Sequence, residues 1–170
     1  MQPDEIKEIF DQQASGYDQQ WARMSPINNA LYFLLESVFA ELAVDAHILC
    51  VGAGTGKELI HLARKFPQWQ FTAVEPSRAM LAVCRQRVEE EGMMSRCYFH
   101  EGYLDSLPNN ELYDAATCFL VSQFIVDQQL RTELFGEIAR RLKPGGILAS
   151  ADLASELGSD EYEALLHAWM

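Results

Sequence analysis

The chain has 170 residues, the length of one domain, and 49% of them are hydrophobic, enough to fill a sizeable core. Its 25 acidic and 13 basic side chains give a formal charge of −12, which repels phosphate backbones and anionic lipid headgroups and argues against nucleic-acid and membrane partners. The apolar runs are too short to cross a bilayer and the opening MQPDEIKEIF has no apolar signal core, so a cytoplasmic protein is expected.

Two helices come first, at 3–14 and 26–43. The second sets Leu31, Leu34, Leu35, Val38, Phe39 and Leu42 on one face, and Ser25 before Pro26 suits an N-cap followed by proline at the first helical position. The period then changes. HILCV (47–51) reads as a short buried strand, and 56–66 as a helix that ends before Pro67. QFTAVE (70–75) is a second strand. A helix over 77–91 turns Met80, Leu81, Cys84 and Val88 inward and stops at Gly92. CYFHE (97–101) and DAATCFLV (114–121) are the third and fourth strands. A helix over 127–142 turns Leu130, Leu134, Ile138 and Leu142 inward. KPGG (143–146) reads as a turn and ILASADL (147–153) as a fifth strand. A last helix begins after Ser159 and carries Tyr162, Leu165, Leu166 and Trp169 on one face. Strands alternating with helices predict an α/β fold, doubly wound on a mostly parallel sheet.

No repeat, low-complexity tract or charged linker divides the chain, so a single domain is expected. Cys50, Cys84, Cys97 and Cys118 form no C-x-x-C pair, and the histidines have no ligand spacing, so no metal site is expected.

The loop ILCVGAGTGKEL (48–59) carries the chemistry. A phosphate-binding P-loop would need glycine where Val51 stands and a hydroxyl where Glu58 stands, and a carboxylate facing a triphosphate is repulsive. A dinucleotide fingerprint fits Gly52 and Gly54, but the third glycine falls one residue early, at Gly56. The turn is still tight and still offers backbone N–H groups at a helix start. Glu75 ends the second strand, where a carboxylate accepts hydrogen bonds from both hydroxyls of a ribose, which argues for an adenosine-type ligand.

Together with FTAVEPSRAML, YDAATCFLVSQF and RLKPGGILASADL, this loop resembles the class I S-adenosylmethionine-dependent methyltransferases over residues 5–153. The four segments match the family's glycine loop, acidic ribose motif, fourth-strand motif and turn before strand five, in order. IFDQQASGYDQQW looks like the lid segment F-D-x-x-A-x-x-Y-D of small-molecule members. The resemblance implies a Rossmann-like core over 45–170, a helical lid over 1–44, S-adenosyl-L-methionine as cofactor and S-adenosyl-L-homocysteine as product.

It also implies roles for residues. Gly52, Ala53, Gly54, Thr55 and Gly56 would let the backbone approach the cofactor, and Glu75 would hold the ribose hydroxyls. Pro76 and Ser77 follow Glu75, and Met80 would pack near the adenine. GYLDSLP matches the family's G-D-x-x-x-L-P except that Tyr103 replaces the aspartate. Tyr103 would stack on the ring or offer its hydroxyl, and the Leu104 N–H would serve a ring nitrogen. Phe119, Leu120 and Gln123 would line the methionine and methyl end. Tyr17 and Trp21, with Asp18 beside them, would close off water and contact the substrate. Plainer readings stand beside these: solvent for Tyr103, core packing for Phe119, capping for Ser122, a hydrophobic staple for Tyr17 and Trp21.

A sulfonium methyl is already electrophilic, so the reaction needs alignment and no nucleophilic side chain; a base is required only where an O or N acceptor has a proton to lose. His61, His100 and Tyr17 are the available types, and no spacing selects one. The expected partner is a small-molecule acceptor. A non-catalytic cofactor-binding protein of the same fold and an NAD-linked oxidoreductase are the competing readings, the latter disfavoured by the misplaced glycine. The resembled family orders seven strands 3-2-1-4-5-7-6, and strands six and seven are missing after ILASADL. The chain is therefore expected to be a fragment of a longer protein, or to pair as a homodimer through the strand-five edge or the last helix, or to cover that edge with its N-terminal helices.

Overall fold

The computed structural model describes residues 3–153, 159–161 and 164. Five short runs rich in Val, Ile, Ala and Cys form one sheet, in which every adjacent pair is parallel. They are β1 (His47–Val51), β2 (Gln70–Glu75), β3 (Cys97–Glu101), β4 (Tyr113–Phe119) and β5 (Leu142–Ala151), ordered β3-β2-β1-β4-β5. Parallel strands need helical crossovers, and these are α4 (Lys57–Lys65), α5 (Arg78–Glu90) and α6 (Gln128–Arg141). Ahead of the sheet lie α1 (Pro3–Gln13), α2 (Tyr17–Gln20) and α3 (Ser25–Val38).

The two faces of the sheet bury separate cores. Ile48, Cys50, Phe71 and Ala73 face Leu35 and Phe39, Leu59 and Leu62 of α4, and Leu81, Cys84 and Val88 of α5. Leu49, Val51, Val74, Ala116 and Cys118 face Ile138 of α6. Burial on both sides explains why the central strands read as unbroken apolar runs. From β1 the chain winds outward through β2 to β3, then returns to the other side of β1 as β4. The strand order therefore reverses between β1 and β4, where an open α/β sheet leaves a crevice at the carboxyl ends of its strands. The fold is Rossmann-like.

Several expected boundaries move. Ser25 does not cap α3: it is the first helical residue, Met24 precedes it without a side-chain bond, and Pro26 lies in the first turn. The helix ends at Val38, five residues short of the expected 43. Its buried row runs through Leu35 to Phe39, while Leu34 and Val38 are 58% and 50% exposed. A stripe of six apolar residues is wider than the contact made with α4. On α6, Ile138 is buried but Leu130 stands exposed in the first turn.

The segment KPGG is not a turn between elements. β5 already starts at Leu142, opposite Tyr113, and pairing resumes at Ala115 with Ile147. Lys143 to Gly146 bulge out opposite Asp114, whose carboxylate receives Lys143 Nζ at 2.8 Å on both oxygens. Gly145 supplies the left-handed conformation this requires, at φ 82°. The fourth strand stops at Phe119, because Leu120 turns out of the extended region.

α1 packs on α5 and α3 on α4, which sets the N-terminal helices on the α4–α5 side of the sheet. Among the described residues β3 and β5 are the sheet edges. The expected face of Tyr162, Leu165, Leu166 and Trp169 lies outside the described residues. No helix among the described residues is long and apolar enough to cross a membrane.

Candidate functional site

The carboxyl ends of β1, β2 and β4 open into a cavity of about 490 Å³, roofed by residues of the N-terminal helices. Its floor is the turn from β1 into α4. Gly52, Gly54 and Gly56 all have positive φ, at 69°, 53° and 80°, yet each is glycine for a different reason. A Cβ on Gly52 would strike the Val121 side chain. A Cβ on Gly54 would meet nothing within 4 Å and would stand in the cavity. A Cβ on Gly56 would strike Cys84 Sγ, so this glycine serves the packing of α4 on α5 and is not among the cavity's lining residues. The N–H groups of Gly52 and Ala53 both donate to the Val74 carbonyl, at 2.9 and 3.0 Å, which ties the loop to β2.

Glu75, at the end of β2, is 7% exposed and lines the cavity. One carboxylate oxygen accepts the Gly54 N–H at 2.8 Å and the other accepts the Ser77 N–H at 2.8 Å. Burial pushes its pKa up to about 7, against the downward pull of those two donors. Ser77 itself lies off the cavity; its hydroxyl oxygen caps α5 by accepting the Met80 N–H at 3.2 Å. Pro76 and the buried Met80 line the wall after Glu75, with Leu104 beyond them and Tyr103 at the rim, 43% exposed.

Two aspartates fasten the N-terminal helices to this floor. Asp11 accepts the Ser77 hydroxyl at 2.7 Å and the Ala79 N–H at 3.0 Å. Asp18 accepts the Thr55 hydroxyl at 2.9 Å, pairs with Lys57 Nζ at 3.1 Å on the same oxygen and pairs with Arg87 on the other. Burial pushes the Asp18 carboxyl up, but Lys57, Thr55 and Arg87 together hold it below its ordinary value. An aromatic chain forms the roof. Phe124 meets Phe10 edge-on at 5.5 Å, Phe10 meets Tyr17 at 6.0 Å, and Tyr17 lies 6.3 Å from Trp21. Burial, with Asp18 and Glu75 nearby, pushes the Tyr17 hydroxyl to about 12, so it stays neutral.

The wall after β4 is strained. Leu120 has φ 57°, a left-handed conformation that costs a non-glycine residue on the order of 1–3 kcal/mol and that clusters at functional sites. Its N–H is held by the Ala151 carbonyl at 2.7 Å. Asp152 fixes the following turn: it accepts the Ser122 hydroxyl at 2.7 Å and the Gln123 N–H at 3.2 Å. Phe119 and Leu120 line the cavity. Gln123 does not; it is buried behind it, where its carbonyl oxygen accepts the Leu153 N–H at 3.0 Å.

Of the residues picked from the sequence for cofactor or lid, Asp18, Gly56, Ser77 and Gln123 thus support the cavity from behind, and the others line it. His61 pairs with Glu36 at 2.7 Å and His100 with Ser106 at 2.8 Å, and neither reaches the cavity. Sequence reasoning passed over Phe10, Phe124, Tyr32 and Glu58, all of which line it. Glu58 had a signal: it shares the inward face of α4 with Leu59, Leu62 and Ala63.

Residues 48–146 match the family model described as a methyltransferase domain. The chain is similar to methyltransferase GfsG of Streptomyces halstedii, 31% identical over 140 residues that cover 81% of this chain and 49% of that protein. It is 27% identical over 167 residues to the malonyl-[acyl-carrier protein] O-methyltransferase of Bacillus cytotoxicus, covering 96% of this chain and 53% of that protein. Among solved structures, the SAM-bound amino pentose methyltransferase CalS10 from Micromonospora echinaspora aligns with a TM-score of 0.63 at 25% identity, covering 75% of this chain and 51% of that one. The chain spans about half the length of these relatives.

Proposed function

Since the chain belongs to the methyltransferase-domain family, we propose that it binds S-adenosyl-L-methionine in the cavity and passes the methyl group to a small-molecule acceptor, releasing S-adenosyl-L-homocysteine. The observation that carries this reading is Glu75. A buried carboxylate, fixed by the Gly54 and Ser77 N–H groups, keeps lone pairs for two adjacent hydroxyls beside a floor left open at Gly54. That donor and acceptor set fits the ribose of an adenosine.

When bound, the cofactor supplies a methyl group activated by its sulfonium. The protein's own residues position and enclose. Glu75 holds the ribose; Pro76, Met80, Tyr103 and Leu104 take the adenine; Ala53 and Thr55 flank the glycine that admits the chain of the cofactor. Phe119 and Leu120 line the end where transfer occurs. Residues 1–44 act as the lid, with Phe10, Tyr17 and Trp21 excluding water over that end. Fixing two reactants in line is worth about 7–11 kcal/mol in favourable cases, so a site with an apolar roof and, among the described residues, no histidine on its wall is sufficient for an acceptor that is already nucleophilic.

Calorimetric titration tests the reading. S-adenosylhomocysteine should bind and NAD should not; the reverse would overturn it. Incubation with tritiated S-adenosylmethionine and pools of small-molecule acceptors then identifies the substrate.

A further inference from the structure

Glu58 is the second residue of α4 and lies behind the glycine turn. It is 8% exposed, and the exposed part is on the cavity wall. One carboxylate oxygen accepts a hydrogen bond from the Thr117 hydroxyl of β4. The other accepts none from a described side chain or backbone group. Lys57, its neighbour in sequence, and Arg87 of α5 are committed to Asp18. The groups that interact with it electrostatically are uncharged: Cys50 of β1, Cys84 of α5, Cys118 of β4 and Tyr32 of α3, each with its proton held on by burial. An ionised carboxylate with a single hydrogen bond is costly in such a place, and burial pushes the Glu58 pKa up to about 7. A cation would complete it.

We propose that Glu58 and Thr117 form a subsite for a primary ammonium group, the α-ammonium of the methionine portion of the ligand in this cavity. The inference rests on the cofactor reading above and adds a residue to it. The two buried carboxylates of the cavity do different work. Glu75 has a backbone donor on each oxygen and suits neutral hydroxyls. Glu58 has one oxygen open and no cation, and both carboxylates line the same cavity as Gly52 and Gly54 of the glycine turn. A ligand with a ribose at one end and an ammonium at the other matches both. The carboxylate that would repel a triphosphate in a P-loop here attracts positive charge.

The test is Glu58→Gln, which keeps the side chain's size and an acceptor for Thr117. Three ligands are titrated by calorimetry into wild type and variant: S-adenosylhomocysteine, its analogue with hydrogen in place of the α-amino group, and 5′-methylthioadenosine, which lacks the amino-acid tail. The variant should lose about tenfold or more in affinity for S-adenosylhomocysteine, the scale of one charge-assisted bond, and nothing for the other two. Wild type should also release more protons than the variant on binding S-adenosylhomocysteine at pH 7, read from titrations in buffers of different ionisation enthalpy. Equal affinity of wild type and variant for S-adenosylhomocysteine overturns the subsite, and so does an equal loss on all three ligands, which would mark Glu58 as a packing residue. If wild type binds neither S-adenosylhomocysteine nor 5′-methylthioadenosine, the cofactor reading falls first and the subsite with it.

Discussion

The carboxylate of Asp18 accepts the hydroxyl of Thr55 at 2.9 Å, joining the N-terminal helices to the glycine turn from 37 residues away in sequence. The same carboxylate neutralises Lys57 of α4 and Arg87 of α5. One side chain therefore couples the roof of the cavity to its floor and to the helix behind it. Since α2 has only the four residues Tyr17–Gln20, it is too short to be stable alone, and these contacts hold it in place.

Replacing Asp18 by Ala should loosen the roof selectively. Lys57 and Arg87 lose their partner, and the Thr55 hydroxyl loses its acceptor. Hydrogen exchange followed by mass spectrometry should accelerate across 3–24 and stay slow in β1, β2 and β4. Uniform acceleration through the sheet would mean that Asp18 supports the whole fold instead.

Glu75→Ala should weaken S-adenosylhomocysteine binding by about a hundredfold or more, since two hydrogen bonds to a charged group are lost at about 1.5–3 kcal/mol each. The substitution leaves the core packing of β2 intact, so the circular dichroism spectrum should not change. Unchanged affinity in calorimetry would remove Glu75 from the ligand site.

The glycines separate binding from folding. Gly54→Val puts a side chain into open cavity, at a backbone strain on the order of 1–2 kcal/mol. The variant should fold and fail to bind S-adenosylhomocysteine. Gly56→Ala drives a methyl group into Cys84 at a positive φ and should lower stability by about 1–3 kcal/mol. Thermal melts beside titrations check both; a folded Gly54→Val protein with normal affinity would take the turn out of the site.

The glycine turn, the strand at Glu75 and the order of elements could be read locally, because a positive φ, a buried parallel strand and an amphipathic helix each impose a short-range pattern. What escaped depends on distant partners. Asp11 reaches Ser77 across 66 positions, and no local feature announces that contact. The strained φ of Leu120 accompanies a hydrogen bond from its N–H to the carbonyl of Ala151, a residue distant in sequence. The turn residues of KPGG were legible, but whether such residues end a strand or bulge from one is decided by the neighbouring β4. Glu58 is legible as an inward residue of α4, but its position after the glycine turn by itself speaks only against a phosphate ligand.

Stability should depend on pH through the buried carboxyls, with a definite sign. For Glu58 and Glu75 the folded protein raises the pKa from 4.5 to about 7. Between those values the folded state binds more protons than the unfolded state, so stability falls as pH rises from about 4.5 to about 7 and levels off above. Glu58→Gln removes one contribution: the variant should melt close to wild type at pH 5, where Glu58 is protonated, and higher than wild type at pH 8, where it is charged. A difference in melting temperature that stays constant from pH 5 to pH 8 would show that Glu58 is not titrating in this window.

Phe10 tests the roof. It is an inner ring of the aromatic chain, edge-on to Phe124 at 5.5 Å and 6.0 Å from Tyr17, and so bridges α1 to the turn that follows β4. Each such pair contributes about 0.5–1.5 kcal/mol beyond the area it buries. Phe10→Ala removes both and leaves a gap over the end of the cavity at Phe119 and Leu120. The Glu75 carboxylate proposed to hold the ribose and the fastening at Asp11 are untouched, so affinity for S-adenosylhomocysteine should change less than threefold, or less than about 0.7 kcal/mol. Transfer, in contrast, depends on water exclusion and alignment at the methyl end, so kcat should fall by about tenfold or more. Phe10→Leu restores apolar volume without the ring and should recover most of the loss. Equal reductions in affinity and kcat would mean that Phe10 only holds α1 in place; an unchanged kcat with normal binding would place the transfer site away from this roof.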